Sequence, residues 1–256
     1  MTASTTADSG LPAIIAHRGN AFDFPENTLE ALGSAVDLGL RHVEFDVQLT
    51  GDLVPVVMHD ADLARVAGRP DSVHELTWST LSSIPVGEVA RLGETHADVR
   101  APSLARVVEA LAGWPDVTAF VEVKRASIRR FGRQTVLTRI AAELAPVIDR
   151  CVLISFDSVS VKILRLMTGA RIGWVLTEYD ETARAQAASL SPEFLFANLE
   201  RLPDAPGPLW SGPWDWAIYE VRDLDTALGC RSRGARYVET MDVRGLLAEY
   251  ERHTRP

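Results

Sequence analysis

The sequence places acidic side chains where they could share a metal ion. Glu44 and Asp46 alternate on one β-branched segment, and Glu122 lies on a later one. Carboxylate oxygens are the ligands that Mg²⁺ and Ca²⁺ prefer. If the three carboxylates share one face, they require a cation, because like charges raise one another's pKa. The pattern therefore predicts either a divalent-cation site or three separate solvated acids.

Two histidines end neighbouring segments of the same kind. His17 and His59 can act as a general acid and base, because imidazole titrates near neutral pH. Each could instead be a structural histidine at a strand end. The cations of Arg18 and Lys124 follow two of these segments directly and can bind phosphate oxygens, with an ordinary salt bridge as the alternative for each.

The composition is that of a globular, acidic chain. Of its 256 residues, 46% are hydrophobic and 24% are charged, and 26 Lys and Arg stand against 35 Asp and Glu, for a net charge of −9. Such a chain repels phosphate polyanions, so we expect no nucleic-acid partner. Any phosphate must then be recognised locally, by a metal or by a few basic groups.

Short β-branched runs alternate with helix-length amphipathic segments. The predicted strands are Ala13–His17, His42–Gln48, Val54–His59, Thr118–Lys124, Cys151–Phe156, Arg171–Leu176, Phe194–Asn198, Ala217–Val221 and Tyr237–Thr240. The predicted helices are Thr28–Leu38, Ser103–Ala112, Gln134–Pro146, Ser158–Met167, Glu181–Ser189, Leu224–Arg233 and Val243–Arg252. Repeated strand–helix units predict an α/β fold with a parallel sheet. This number of strands in this length favours a closed TIM (β/α)₈ barrel, distorted by a small insertion after the third strand, with the catalytic groups where the strands end.

The second and third strands are too close in sequence for a helical crossover. A two-residue Gly51-Asp52 turn predicts a hairpin in which Thr50 pairs with Leu53. That register sets Glu44 opposite His59 and keeps both on the face of Asp46. One predicted strand then becomes an extra hairpin arm.

The chain is expected to form one domain. Residues 1–10 predict a disordered tail, residues 11–256 a single barrel, and residues 60–102 an insertion at the barrel mouth. The sequence shows no signal peptide and no apolar run of about 18 residues. We therefore expect no integral membrane contact and a cytoplasmic location.

Several spaced blocks of the sequence resemble the glycerophosphodiester phosphodiesterase family. These blocks are Ile15-Ala16-His17-Arg18-Gly19, Pro25-Glu26-Asn27-Thr28, Glu44-Phe45-Asp46-Val47, Thr50 with Asp52, Val56-Val57-Met58-His59-Asp60 with Leu63, Pro102-Ser103-Leu104, Glu122-Val123-Lys124 and Ser155-Phe156-Asp157. The resemblance covers residues 14–157 well and the remainder more loosely.

The resemblance implies a TIM-barrel phosphodiesterase that hydrolyses glycerophosphodiesters to glycerol 3-phosphate and an alcohol. It implies one divalent cation, Mg²⁺ or Ca²⁺, on Glu44, Asp46 and Glu122. It makes His17 and His59 the acid–base pair, and Arg18 and Lys124 the phosphate ligands. Near the first helix, Asn27 is interpreted as the helix cap, and Glu26 as a support for His17 or Arg18.

The C-terminal third departs from the family pattern. Where the family commonly has Trp-Thr-Val-Asn, this chain reads Tyr219-Glu220-Val221-Arg222, and where it has Ile-Thr-Asp, this chain reads Glu239-Thr240-Met241. We expect Tyr219 to line the glycerol side of the pocket, and Glu220 or Arg222 to alter which head group is accepted.

Three other functions fit the same residues. A related barrel enzyme of the phospholipase D type could cleave lysophospholipids, and a non-catalytic protein could bind glycerophosphodiesters. A general metal-dependent hydrolase could act on another phosphodiester. The alcohol head group, the choice of metal, the roles of the two histidines, the choice of water or the glycerol 2-hydroxyl as nucleophile, and the oligomeric state stay open at this point.

Overall fold

A computed structural model describes residues 10–203 and 207–255 of the chain. The strands are β1 (Ala13–Ala16), β2 (His42–Leu49), β3 (Pro55–Val57), β4 (Thr118–Val123), β5 (Cys151–Ser155), β6 (Arg171–Val175), β7 (Phe194–Asn198), β8 (Asp215–Tyr219) and β9 (Ala235–Thr240). The helices are α1 (Leu29–Asp37), α2 (Ala64–Ala67), α3 (Trp78–Leu81), α4 (Val89–Leu92), α5 (Leu104–Gly113), α6 (Arg125–Phe131), α7 (Arg133–Leu144), α8 (Ser158–Thr168), α9 (Glu181–Leu190), α10 (Leu224–Ser232) and α11 (Val243–Thr254). The predicted tail, residues 1–10, lies outside the described residues except for Gly10.

The strands form a closed parallel barrel, which confirms the predicted fold class. Neighbouring strands run in the order β1-β9-β8-β7-β6-β5-β4-β2, and β1 pairs again with β2 to close the circle. The arm β3 pairs antiparallel with β2 outside the circle, as the sequence predicted. All parallel strands end at the same rim, so the polar residues that follow them meet there.

The barrel interior is apolar below this rim. Its buried side chains are Ile15, Phe120, Val152, Ile154, Val175, Phe194, Phe196 and Ala217. Because alternate residues of a strand share a face, Phe120 and Glu122 both point inward. The same strands thus supply a packed apolar floor and a polar upper layer.

The hairpin register predicted from the sequence is wrong by one residue. In the structure Val47 pairs with Val57 and Leu49 with Pro55, so Glu44 does not lie opposite His59. The loop has three residues instead of two, and its last residue, Leu53, adopts the left-handed conformation at φ +65°. This is the geometry of a three-residue hairpin loop ending in a bulge.

The segment between β3 and α5 packs around a second apolar cluster. That cluster contains Val56, Met58, Leu63, Val66, Val73, Leu81, Ile84, Val86 and Ala101.

Within residues 10–203 and 207–255, no helix combines the length and apolar character needed to cross a bilayer.

Candidate active site

Every predicted site residue lies at the rim where the parallel strands end. A cavity of about 90 Å³ opens there. Its lining residues are His17, Arg18, Glu44, His59, Glu122, Lys124, Ile154, Phe156, Val175, Phe196, Tyr219, Glu220 and Glu239. Asp46 is buried directly against this lining, through contacts with Arg18 and Lys124.

Glu44, Asp46 and Glu122 converge as the sequence predicted. One carboxylate oxygen from each lies within 4.8 Å of the others, and all three residues are buried. Glu44 and Asp46 share a face of β2 because they are two residues apart. Asp46 and Glu122 are direct register partners on β2 and β4, which sets their side chains side by side.

The charges around this cluster are unevenly balanced. Burial would raise the pKa of Asp46, but the cations of Lys124 and Arg18 hold it well below its ordinary value. For Glu44, burial raises the pKa well above its ordinary value, and the neighbouring carboxylates of Asp46 and Glu239 raise it further. The cluster therefore contains more carboxylate groups than Lys124 and Arg18 can neutralise. Its oxygen atoms are suitable ligands for a hard divalent cation.

Lys124 and Arg18 bridge the carboxylates. Lys124 Nζ lies 2.9 Å from Glu122 Oε1 and 3.1 Å from Asp46 Oδ1. Arg18 donates from its backbone N to Glu44 Oε2 at 3.0 Å, and its Nε lies 3.4 Å from Asp46 Oδ2. Both cations also line the cavity, where they can bind an anionic group.

Glu26 supports Arg18, as one of the sequence interpretations held. Arg18 Nη1 donates to the two oxygens of Glu26 at 3.1 and 3.2 Å. The same carboxylate receives Arg65 through two bonds of 2.7 Å. A buried acid between two guanidinium groups fixes the direction of both.

Asn27 is not the cap of α1, and the sequence interpretation of it is wrong. Thr28 caps the helix by accepting from the backbone N of Ala31. Asn27 has φ +59°, and its side chain donates to Asp46 Oδ2 at 2.8 Å and accepts from the Asp46 backbone N at 3.0 Å. Asn27 therefore positions a carboxylate of the cluster.

The His17 ring lies between two acidic groups. Its Nε2 is 4.0 Å from Glu44 Oε2, and its Nδ1 is 3.9 Å from Glu220 Oε1. Burial lowers the pKa of His17 well below its ordinary value, and the positive charge of Arg18 adds to this. The imidazole is therefore neutral at neutral pH.

His59 reaches the cavity although the hairpin register does not direct it there. The ladder continues only to Met58, whose backbone N donates to the carbonyl of Asp46. Beyond that point the chain turns, and His59 Nδ1 hydrogen-bonds Asp60 Oδ1 at 2.7 Å. Burial lowers the pKa of His59, so this imidazole is also neutral at neutral pH.

Glu239 also lines the cavity, and the sequence predicts no role for it. It is buried on β9, and among the described residues its Oε1 has no hydrogen-bond partner. Burial raises its pKa well above the ordinary value, and the carboxylates of Glu122 and Asp46 add to the shift. Strand alternation could have identified Glu239, because it lies two residues after Tyr237 and therefore shares the inward face of β9.

A second and larger pocket adjoins the cavity. It has a volume of about 540 Å³ and shares Glu220 with the cavity. Its apolar lining includes Phe22, whose exposed fraction is 60%, and Met241. The rim therefore offers a polar cavity for a phosphate beside a more apolar space.

The fold and the cavity together define a TIM-barrel enzyme, because active sites of this fold lie at the carboxyl ends of the strands. Comparison with known proteins narrows this class. Residues 17–204 match the glycerophosphoryl diester phosphodiesterase family. A glycerophosphodiester phosphodiesterase of Caldanaerobacter subterraneus subsp. tengcongensis is 32% identical over 218 residues, which are 83% of this chain and 88% of the relative.

Solved structures show the same fold. A phosphodiesterase of Oleispira antarctica in complex with the product sn-glycerol-3-phosphate superimposes with a TM-score of 0.79 at 19% identity, covering 95% of this chain and 98% of that one. A glycerophosphodiester phosphodiesterase of Thermotoga maritima gives a TM-score of 0.67 at 21% identity, over 91% of this chain and 95% of that one. The chain belongs to the glycerophosphoryl diester phosphodiesterase family.

Proposed function

We propose that this chain hydrolyses glycerophosphodiesters to glycerol 3-phosphate and an alcohol, using a divalent cation and two histidines. One observation carries the proposal: three carboxylate oxygens converge within 4.8 Å on a cavity that His17 and His59 also line. Membership of the family supports the substrate class. The Oleispira antarctica relative, with sn-glycerol-3-phosphate bound, supports the product.

Glu44, Asp46 and Glu122 would hold one cation, Mg²⁺ or Ca²⁺. The donor set fits because it consists of buried, hard oxygen atoms. When bound, such a cation would neutralise the negative charge of the phosphate and so favour attack on phosphorus. Asn27 keeps Asp46 directed into the site through its two hydrogen bonds.

His17 and His59 would transfer the protons. Both imidazoles are neutral at neutral pH because burial lowers their pKa, so either can accept a proton from the attacking hydroxyl. The other histidine would take up a proton from solvent and donate it to the oxygen of the departing alcohol. Each such partner typically contributes about 10²- to 10⁴-fold in rate.

Arg18, Lys124 and Tyr219 would bind the substrate. The two cations face the cavity and can form ion pairs with the negatively charged phosphodiester. Burial and the nearby Glu239 raise the pKa of Tyr219, so its phenol stays a neutral hydrogen-bond donor. The ring of Tyr219 lies 6.3 Å from that of His17, and both residues line the cavity.

The test is a phosphodiesterase assay on glycerophosphocholine and glycerophosphoethanolamine, with chelator and with added Mg²⁺ or Ca²⁺. We expect release of glycerol 3-phosphate that chelator abolishes and either cation restores. His17→Ala and His59→Ala should each reduce turnover by at least about 100-fold while the far-UV circular dichroism is unchanged. Binding of the diesters without any turnover would favour the alternative, a non-catalytic binding protein.

A second substrate class is favoured by the pocket of about 540 Å³. Its apolar side chains, including Phe22 and Met241, suit a lysophospholipid better than a small polar alcohol. Product analysis separates the two functions, because a lysophospholipid would release a lysophosphatidate or a cyclic phosphate. Faster turnover of lysophosphatidylcholine than of glycerophosphocholine would identify the lipid as the preferred substrate.

We also propose that residues 11–256 act as one domain, with residues 60–102 inserted at the barrel mouth. The apolar cluster of that segment includes Val56 of the hairpin arm, and Val56 forms a bridge with Ser103. Limited proteolysis should therefore cut the segment without separating it from the barrel.

A further inference from the structure

His17 carries a buried nitrogen atom that needs a partner. Within residues 10–203 and 207–255, no group hydrogen-bonds its Nδ1, although the residue is only 8% exposed. Buried polar atoms are nearly always paired, and an exception calls for an explanation. The carboxylate of Glu220 faces this nitrogen at 3.9 Å, just beyond hydrogen-bond distance.

The other catalytic histidine shows the completed form of the same arrangement. Nδ1 of His59 is bonded to Asp60 at 2.7 Å, which leaves Nε2 as the nitrogen free to face the cavity. His17 likewise turns Nδ1 to a carboxylate, while its Nε2 points to the side of Glu44. The two imidazoles thus have matching surroundings, except that the Glu220 contact is open.

The backbone places Glu220 for this contact at a conformational cost. Glu220 directly follows β8 and has φ +69°, a left-handed conformation that residues other than glycine adopt only at an energetic cost. Val221 donates to the carbonyl of Glu239 at 3.1 Å and so fixes the turn. Strained residues of this kind cluster at functional sites.

We propose that Glu220 is a positioning residue for His17. When the active site closes on the phosphodiester, the Glu220 carboxylate accepts a hydrogen bond from Nδ1–H of His17. Contacts that orient a catalytic base are often long in a ligand-free enzyme and shorten in the complex. A proton fixed on Nδ1 leaves the lone pair of Nε2 for the attacking hydroxyl. His17 is then oriented to act as the base. This inference rests on the proposed function and adds a residue that differs from the threonine of the family pattern.

The first test is spectroscopic and needs no turnover. In protein labelled with ¹⁵N-histidine, with Ca²⁺ and glycerol 3-phosphate added, we expect His17 as the Nδ1–H tautomer. Glu220→Gly removes the carboxylate and keeps the backbone conformation, because glycine adopts positive φ freely. In that variant we expect a mixture of tautomers, and an unchanged tautomer would overturn the proposal.

The second test is kinetic. We expect Glu220→Gly to lower kcat by about 10- to 100-fold, the range for partners that orient a functional histidine, with KM nearly constant for every head group. Glu220→Gln keeps an acceptor oxygen and should recover part of kcat. The matched control is Glu200→Ala, which removes an exposed glutamate just beyond β7.

A double-mutant cycle completes the design. If Glu220 acts through His17, adding Glu220→Gly to His17→Ala costs nothing further. Full additivity, or a change in KM that depends on the head group, would make Glu220 a head-group residue and overturn the proposal. An inactive wild-type protein with the expected tautomer change would contradict the proposed function alone.

Discussion

Replacing Asn27 with alanine should destabilise both the fold and the carboxylate cluster. The side chain donates to a charged oxygen of Asp46, a bond that contributes about 1.5–3 kcal/mol. It also accepts from the buried backbone N of Asp46, and leaving that group unpaired costs about 1–3 kcal/mol. We expect Asn27→Ala to lower the free energy of unfolding by about 3–5 kcal/mol and turnover by about tenfold or more.

The neighbouring Thr28→Ala is the matched control, because it removes the true helix cap. Loss of a cap costs about 0.5–2 kcal/mol and leaves Asp46 in place, so this variant should keep its turnover. A second variant, Asn27→Gly, tolerates the φ of +59° and separates backbone strain from the lost hydrogen bonds.

Two measurements test this prediction. Urea unfolding is monitored by circular dichroism, and turnover of glycerophosphocholine is measured at saturating Mg²⁺. An Asn27→Ala variant that loses no more stability than Thr28→Ala and retains full turnover would refute this role of Asn27. Equal losses in Asn27→Ala and Asn27→Gly would show that the hydrogen bonds, and not the conformation, are responsible.

Three further changes test other parts of the structure. Glu239→Ile removes a buried carboxyl with an unpaired oxygen and should raise stability at pH 8 by about 1–3 kcal/mol. Because the folded-state pKa of Glu239 is raised, its penalty is absent below the ordinary value of 4.5 and grows as pH rises. Urea unfolding in chelator from pH 4 to pH 8 should therefore show a widening gap, and a constant gap would contradict this. Gly19→Ala places a Cβ 2.5 Å from the Ala31 carbonyl carbon at φ +81° and should lower the free energy of unfolding by more than about 2 kcal/mol. The control Gly39→Ala has no described atom within 4 Å of its Cβ and should lower it by about 1–2 kcal/mol. Equal decreases in Tm for the two variants would refute the clash. Lys124→Met removes the cation that bridges two carboxylates, so added Ca²⁺ should raise Tm more than in the wild type, and an equal rise would argue against the shared site.

The barrel could be predicted from the sequence because its signals are local and repeated. Runs of β-branched residues alternate with amphipathic segments, and most boundaries fall within two residues of the structure. The sequence does not predict the short helices α2, α3, α4 and α6. The hairpin register was wrong for a specific reason: its left-handed residue is Leu53, where glycine or asparagine would have signalled a three-residue loop.

The site was predictable in its residue types but not in its supports. Alternation on β2 and register with β4 bring Glu44, Asp46 and Glu122 together, and both follow from strand geometry. Asn27 was misread because an asparagine just before a helix is also a typical cap. Its bonds to Asp46 span 19 positions of sequence, and no local pattern encodes a contact of that kind.

The closure of the barrel has a consequence for how the enzyme assembles. In the described chain a single register pair, Ala16 with Val43, joins β1 to β2, whereas four pairs join β1 to β9. If the cylinder unzips along this seam, His17 leaves with one edge and Glu44 with the other. The proposed proton-transfer and metal-binding residues therefore come together only when the barrel closes.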